Sequence, residues 1–145
     1  MADTLNRGYP YPLPTADPDV PYWNQRLAED VDTDVQGLYG AAWVALALTN
    51  GWVAYVGGGG YYQGLRVRDI GNALEITGTV KSGAVGSIMA TLPTTHRPTW
   101  TAQAFVNTSG GAGTLHINNI TGEISYLAGP AAPSYLTVNV RIPKN

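Results

Sequence analysis

Apolar and polar residues change their spacing once along this chain, near residue 40. Before that point the apolar positions Trp23, Leu27, Val31, Val35 and Leu38 step by four, four, four and three, which places them on one side of an α-helix. Asp17 or Asp19 supplies an N-cap, Pro18 or Pro21 suits the first turn, and Gly37 or Gly40 ends the helix. Asp30, Asp32 and Asp34 fall mostly off the stripe, so one side is apolar and the other acidic. The apolar side needs cover, either from the protein's own following half or from copies of the same helix about a symmetry axis.

After residue 40 the helical spacing gives way to alternation. In residues 73–81, Leu74, Ile76 and Val80 face one way while Glu75, Thr77, Thr79 and Lys81 face the other, and Leu136, Val138, Val140 and Ile142 repeat the pattern. Between them, residues 87–92 and 100–107 read as strands. A hairpin runs from Thr114 through Asn118-Asn119 and Thr121-Gly122 to Tyr126, with Leu115 and Ile117 inward beside Ile124 and Tyr126. Earlier, residues 43–48 and 52–56 flank the tight-turn signal Thr49-Asn50-Gly51, and residues 61–68 lead into the first strong strand. About eight or nine strands with connections too short for crossover helices predict an antiparallel β-sandwich, jelly-roll-like, in a mainly β protein. Alternation leaves the strand order open.

Ahead of the helix, Tyr9-Pro10-Tyr11-Pro12-Leu13-Pro14 alternates proline with large side chains and favours an extended, polyproline-like path. Two readings stand: a preorganised strap that anchors these six residues in pockets of a neighbouring protein, or a loose leader. The chain thus divides into an extended arm (1–16), a short helix (17–40) and a β-sandwich domain (41–145).

Composition sharpens this picture. Charged residues make up 12% of the 145, against roughly a quarter in an ordinary soluble domain. That is little charge to coat an isolated monomer, so a homo-oligomer is expected, its interface including the helix stripe Trp23, Leu27, Val31, Val35 and Leu38. Residues 1–40 hold seven acids against Arg7 and Arg26, a net of −5, which leaves +3 for the remainder and −2 overall. Neither half carries the dense basic stripe that nucleic acid or an anionic membrane surface requires. The absence of cysteine excludes disulfides and thiolate chemistry. With no apolar stretch near the ~20 residues of a membrane span, and a polar start at residues 2–7, no membrane insertion and a product made in the cytoplasm are expected.

Candidate chemistry is sparse. The β-rich half offers Asp69, Glu75 and Glu123 with His96 and His116 far apart, and Glu75 and Glu123 fit solvated positions better than a glycosidase pair. His116 points outward between Thr114 and Asn118, which add no metal ligand on its face. No enzyme activity, cofactor or metal is expected. Gly57-Gly58-Gly59-Gly60 lacks the Lys-Ser/Thr of a phosphate loop and reads as a hinge or turn. Around it stand Trp52, Tyr55, Tyr61 and Tyr62, four rings suited either to stacking on a glycan or to filling the core or an intersubunit seam.

Two blocks carry a resemblance. The first is Gly8-Tyr9-Pro10-Tyr11-Pro12-Leu13-Pro14-Thr15 followed by a helix containing Leu27-Ala28-Glu29-Asp30-Val31-Asp32. The second combines residues 43–52, Leu65-Arg66-Val67, residues 74–81, residues 88–93, Arg97-Pro98 and residues 117–124. Together they resemble small trimeric tail-fibre, tail-tip or head-decoration proteins of tailed bacteriophages. The resemblance implies a homotrimer on the virion surface, fixed to another virion protein by its N-terminal segment, with the β-domain outward and a host surface glycan as a candidate partner. The chain has neither the repeats nor the shaft of a long fibre. A tail-tip role therefore stands beside capsid decoration and, from another class, a carbohydrate-binding module or depolymerase.

Overall fold

The computed structural model of the chain describes residues 2–3, 10–11, 20–56 and 62–144. They fall into two compact units, Met1–Gly40 and Ala41–Asn145.

In the first unit, β1 (Ala2–Asp3) pairs antiparallel with β2 (Pro10–Tyr11). The segment expected to run extended therefore includes a short ladder; of its candidate anchoring residues, Tyr9, Pro12, Leu13 and Pro14 lie outside the described residues. Helix α1 (Val20–Tyr39) follows the predicted apolar stripe, and Gly40, at φ 92°, ends it in a left-handed conformation open to glycine. Its polar side is knit by Gln25 donating to Glu29 and Gln36 donating to Asp32, each at 2.8 Å.

The second unit contains β3 (Val44–Ala45), β4 (Val53–Ala54), β5 (Arg66–Ile70), β6 (Ala73–Lys81), β7 (Ile88–Thr91), β8 (Ala102–Thr108), β9 (Gly111–Ile117), β10 (Glu123–Ala128) and β11 (Leu136–Pro143). Every pairing is antiparallel, in the order β3-β5-β6-β11-β8-β9-β10-β7, with β4 joined to β6. The predicted mainly β, antiparallel architecture thus takes the form of one curled nine-stranded sheet. Its ends meet where Leu48 bridges Ala90 and the Thr49 N–H donates to the Met89 carbonyl at 3.0 Å.

Curling encloses a single core. Leu74, Ile76, Val80, Val138 and Val140 from β6 and β11 share it with Leu115, Ile117, Ile124 and Tyr126 from β9 and β10, so the alternation read in the sequence is the inward and outward faces of the curl. The hairpin pairs as predicted, Ile117 with Ile124 and Leu115 with Tyr126. Its turn is fixed by Asn118, whose Oδ1 accepts from the N–H groups of Ile120 (2.8 Å) and Thr121 (3.0 Å).

The Thr49-Asn50-Gly51 turn also forms, with positive φ at Asn50 and Gly51 and the Trp52 N–H donating to the Thr49 carbonyl at 3.0 Å. The short strands on either side of it do not pair with each other. β3 joins β5 and β4 joins β6, because Leu48 and Thr49 are held by β7 and the two arms diverge from the turn.

Candidate functional site

A groove lies on the outward face of β6 and β11, where one neighbour of β6 replaces another. β5 pairs with β6 from Ile70–Ala73 up to Arg66–Thr77, and β4 takes over at Ala54–Val80. Between them the Thr79 N–H donates to the Gln63 carbonyl and the Thr79 carbonyl accepts from the Tyr55 N–H, both at 2.9 Å. The changeover is possible because residue 78 is glycine. A Cβ there would lie 2.6 Å from the Gly64 carbonyl oxygen, and Gly78 has φ 148°, which side-chain-bearing residues rarely adopt.

This crossing sets two tyrosines above the sheet. Tyr55 packs edge-to-face against Tyr62, with centroids 5.1 Å apart, and against Tyr135 at 6.2 Å. Below them, register aligns Thr79 of β6 with Thr137 of β11 and Thr137 with Asn107 of β8, and one step along it aligns Thr77 with Asn139 and with Arg66. The Thr79 and Thr137 hydroxyls lie 3.3 Å apart. Two cavities of about 320 and 290 Å³ share Tyr62, Thr79 and Thr137 in their walls and form adjoining halves of one groove. Its chemistry is aromatic rings over a floor of hydroxyls and amides, with the Arg66 guanidinium at one side.

Of the four rings singled out in the sequence, Tyr55 and Tyr62 come together here, and Tyr62 is 49% exposed. Trp52 does not join them, and its reading as a ligand-stacking ring is corrected. It is 2% exposed, its Nε1 donates to Ser87 Oγ at 2.8 Å, and its ring meets Tyr126 edge-on in the core. Tyr61 and the four glycines before it lie outside the described residues. Alternation alone did not single out Tyr135, Thr137, Asn107, Asn139 or Arg66. The available signal was that Thr137, Asn107, Asn139 and Arg66 occupy outward positions of strands whose order remained open, with Tyr135 just ahead of one of them.

The carboxylates are dispersed among structural partners. Asp69 pairs with Lys144 at 3.0 Å, Glu75 pairs with Arg68 at 2.7 Å, and Glu123 accepts from the Thr121 hydroxyl at 3.0 Å. Glu75 and Glu123 stand on β6 and β10, with β11, β8 and β9 between them in the sheet. Among the described residues no cluster of three or more His, Asp or Glu is placed to hold a metal ion, and no helix is long and apolar enough to cross a membrane. In the first unit, Leu27, Val31, Val35 and Leu38 of the helix stripe are 39–63% exposed, while Trp23 is half-buried.

No protein-family model matches the chain, and no curated protein matches it. Among solved structures, the chain is similar to the crystal structure of the receptor binding protein (gp15) of Listeria phage PSA. The TM-score is 0.59, with 19% sequence identity, over 93% of this chain and 89% of that one. A likeness at that identity establishes a shared fold.

Proposed function

We propose that this chain is a non-catalytic structural protein of a bacteriophage tail, of the host-attachment kind. It acts as a homotrimer on the virion surface, held to another virion protein by residues 1–16, with the β-unit facing outward. The observation that carries the reading is the fold shared with a phage receptor binding protein over nearly the whole chain.

Two features of the chain support it. The apolar residues of α1 remain exposed, and steps of four advance about 40° each around a helix of 3.6 residues per turn. The stripe is therefore broader than a two-stranded coiled-coil seam, as a helix that touches two neighbours at once requires. Within the β-unit, the chain comes in at Ala41, whose N–H donates to the Asp69 carbonyl at 2.8 Å near the end of β5. The aromatic groove sits toward the opposite end of the same strands. Thr79 is six residues along β6 from Ala73, about 20 Å at the rise of a strand.

The test is cryo-electron microscopy of phage particles labelled with an antibody against the β-unit. Label at the tail end is the expected result. Regular label over the head would make the protein a capsid decoration instead and reassign the arm to capsid binding.

A further inference from the structure

We propose that the groove between Tyr62, Tyr135, Thr79 and Thr137 is a binding site for an acidic saccharide, a hydroxyl-rich sugar carrying a carboxylate or phosphate. The inference deepens the attachment reading, on which its biological role rests, by naming the ligand class of the site.

Three properties of the groove point to that class. First, its aromatic wall is braced by ring contacts and reachable. Tyr62 is half-exposed, and Tyr55 holds it edge-on at an interplanar angle of 86° while also meeting Tyr135 at 69°. A ring fixed before the ligand arrives gives up little conformational freedom on binding, and a tyrosine offers an apolar face with a polar tip. Second, the floor is neutral and able both to donate and to accept. The hydroxyls of Thr79 and Thr137, with the amides of Asn107 and Asn139 beside them, match sugar hydroxyls, which also do both. An apolar peptide side chain would leave these groups unpaired, a costly outcome in a partly dry site.

Third, among the described residues the charged side chains at the groove, Arg66 and Lys81, are both positive. Arg66 is clamped with its guanidinium carbon 4.4 Å from the Trp43 ring centroid and its Nε donating to the Thr77 hydroxyl at 3.3 Å. Among the described residues it pairs with no carboxylate, unlike Arg68 beside it, which Glu75 neutralises. Lys81 Nζ lies 5.7 Å from the Tyr55 centroid on the other flank. A guanidinium held in place and left without a counter-charge is suited to a planar anion.

The test uses the full-length protein in titration calorimetry with four probes: oligogalacturonate and phosphorylated mannose oligomers as acidic saccharides, maltotetraose and chitotetraose as neutral ones. The acidic probes are expected to bind, and to bind more weakly at high salt because the Arg66 contribution is electrostatic. Tyr62→Ala, at a half-exposed position, is expected to weaken binding about tenfold or more, with the circular dichroism spectrum unchanged. Arg66→Gln is expected to abolish the preference for acidic over neutral probes.

Failure of all four probes at millimolar concentration would overturn the proposal, as would wild-type affinity in Tyr62→Ala. Equal binding of acidic and neutral probes would overturn the role given to Arg66. Asn139→Ala, on the exposed outer face, is a second variant expected to weaken binding, should Tyr62→Ala alter the fold. If particles label at the tail and adsorb normally with Tyr62→Ala, the attachment reading stands and the groove falls. Head labelling with intact saccharide binding would do the reverse.

Discussion

At the scale of single residues, the core is tuned around Trp52 and Tyr126. The Trp52 ring lies over Gly83 so closely that a Cβ at that position would come within 1.9 Å of the indole. Gly83→Ala should therefore lower stability by about 3 kcal/mol through overpacking, read as a lower urea midpoint by circular dichroism. Tyr126 is fully buried, and its hydroxyl donates to the Pro130 carbonyl at 3.0 Å. Burial pushes the phenol pKa above its usual value near 10, partly offset by a hydrogen bond with Thr108. The folded protein thus keeps this proton at a pH where the unfolded chain releases it. The contribution to stability is complete below pH 10 and falls as pH rises through the folded pKa. Tyr126→Phe should cost about 1 kcal/mol at neutral pH and should flatten the loss above pH 10 relative to the parent, both measured by urea unfolding across pH.

At the scale of elements, α1 and β11 are secured in different ways. The stripe on α1 is exposed in the single chain, and each leucine or valine fully covered in an assembly contributes about 1.5–3 kcal/mol. Leu27→Asp should dissociate the proposed oligomer while the β-unit keeps its fold, as seen by light scattering beside circular dichroism. An unchanged mass would remove the helix from the interface. The end of β11 is pinned by Lys144, whose Nζ donates to Asp69 at 3.0 Å and to the Thr95 carbonyl at 2.8 Å. Both ion-pair partners are about a third exposed, so water screens their attraction. Lys144→Met should cost only about 1 kcal/mol, visible as a small drop in the thermal midpoint.

At the scale of the whole molecule, one core spans both halves of the curled sheet, so the β-unit should unfold in a single cooperative transition. Calorimetry at two protein concentrations separates it from α1. Melting of a helix covered only by other copies shifts upward with concentration, whereas a transition confined to one chain does not.

Much of this protein follows from its sequence alone, and the reason is periodicity. Steps of four and three near Trp23–Leu38 specify a helix, and strict alternation in residues 73–81 and 136–142 specifies strands with a dry and a wet face, because side-chain direction is a local property of the backbone. Asn118 and Gly122 mark their turn for the same reason, since the hydrogen bonds and the positive φ belong to neighbouring residues. Other features depended on distant partners. Whether Trp52 stacks on a ligand or fills the core stays open in the sequence until Gly83 and Ser87 are seen to make its pocket, and the partners of the short strands around Thr49–Gly51 stay open until β7 is seen to hold Leu48. The groove is likewise a product of register. Thr79, Thr137 and Asn107 are only outward-facing polar residues in the sequence, and the alignment of three strands that are not consecutive in the chain makes them a floor beneath Tyr55, Tyr62 and Tyr135.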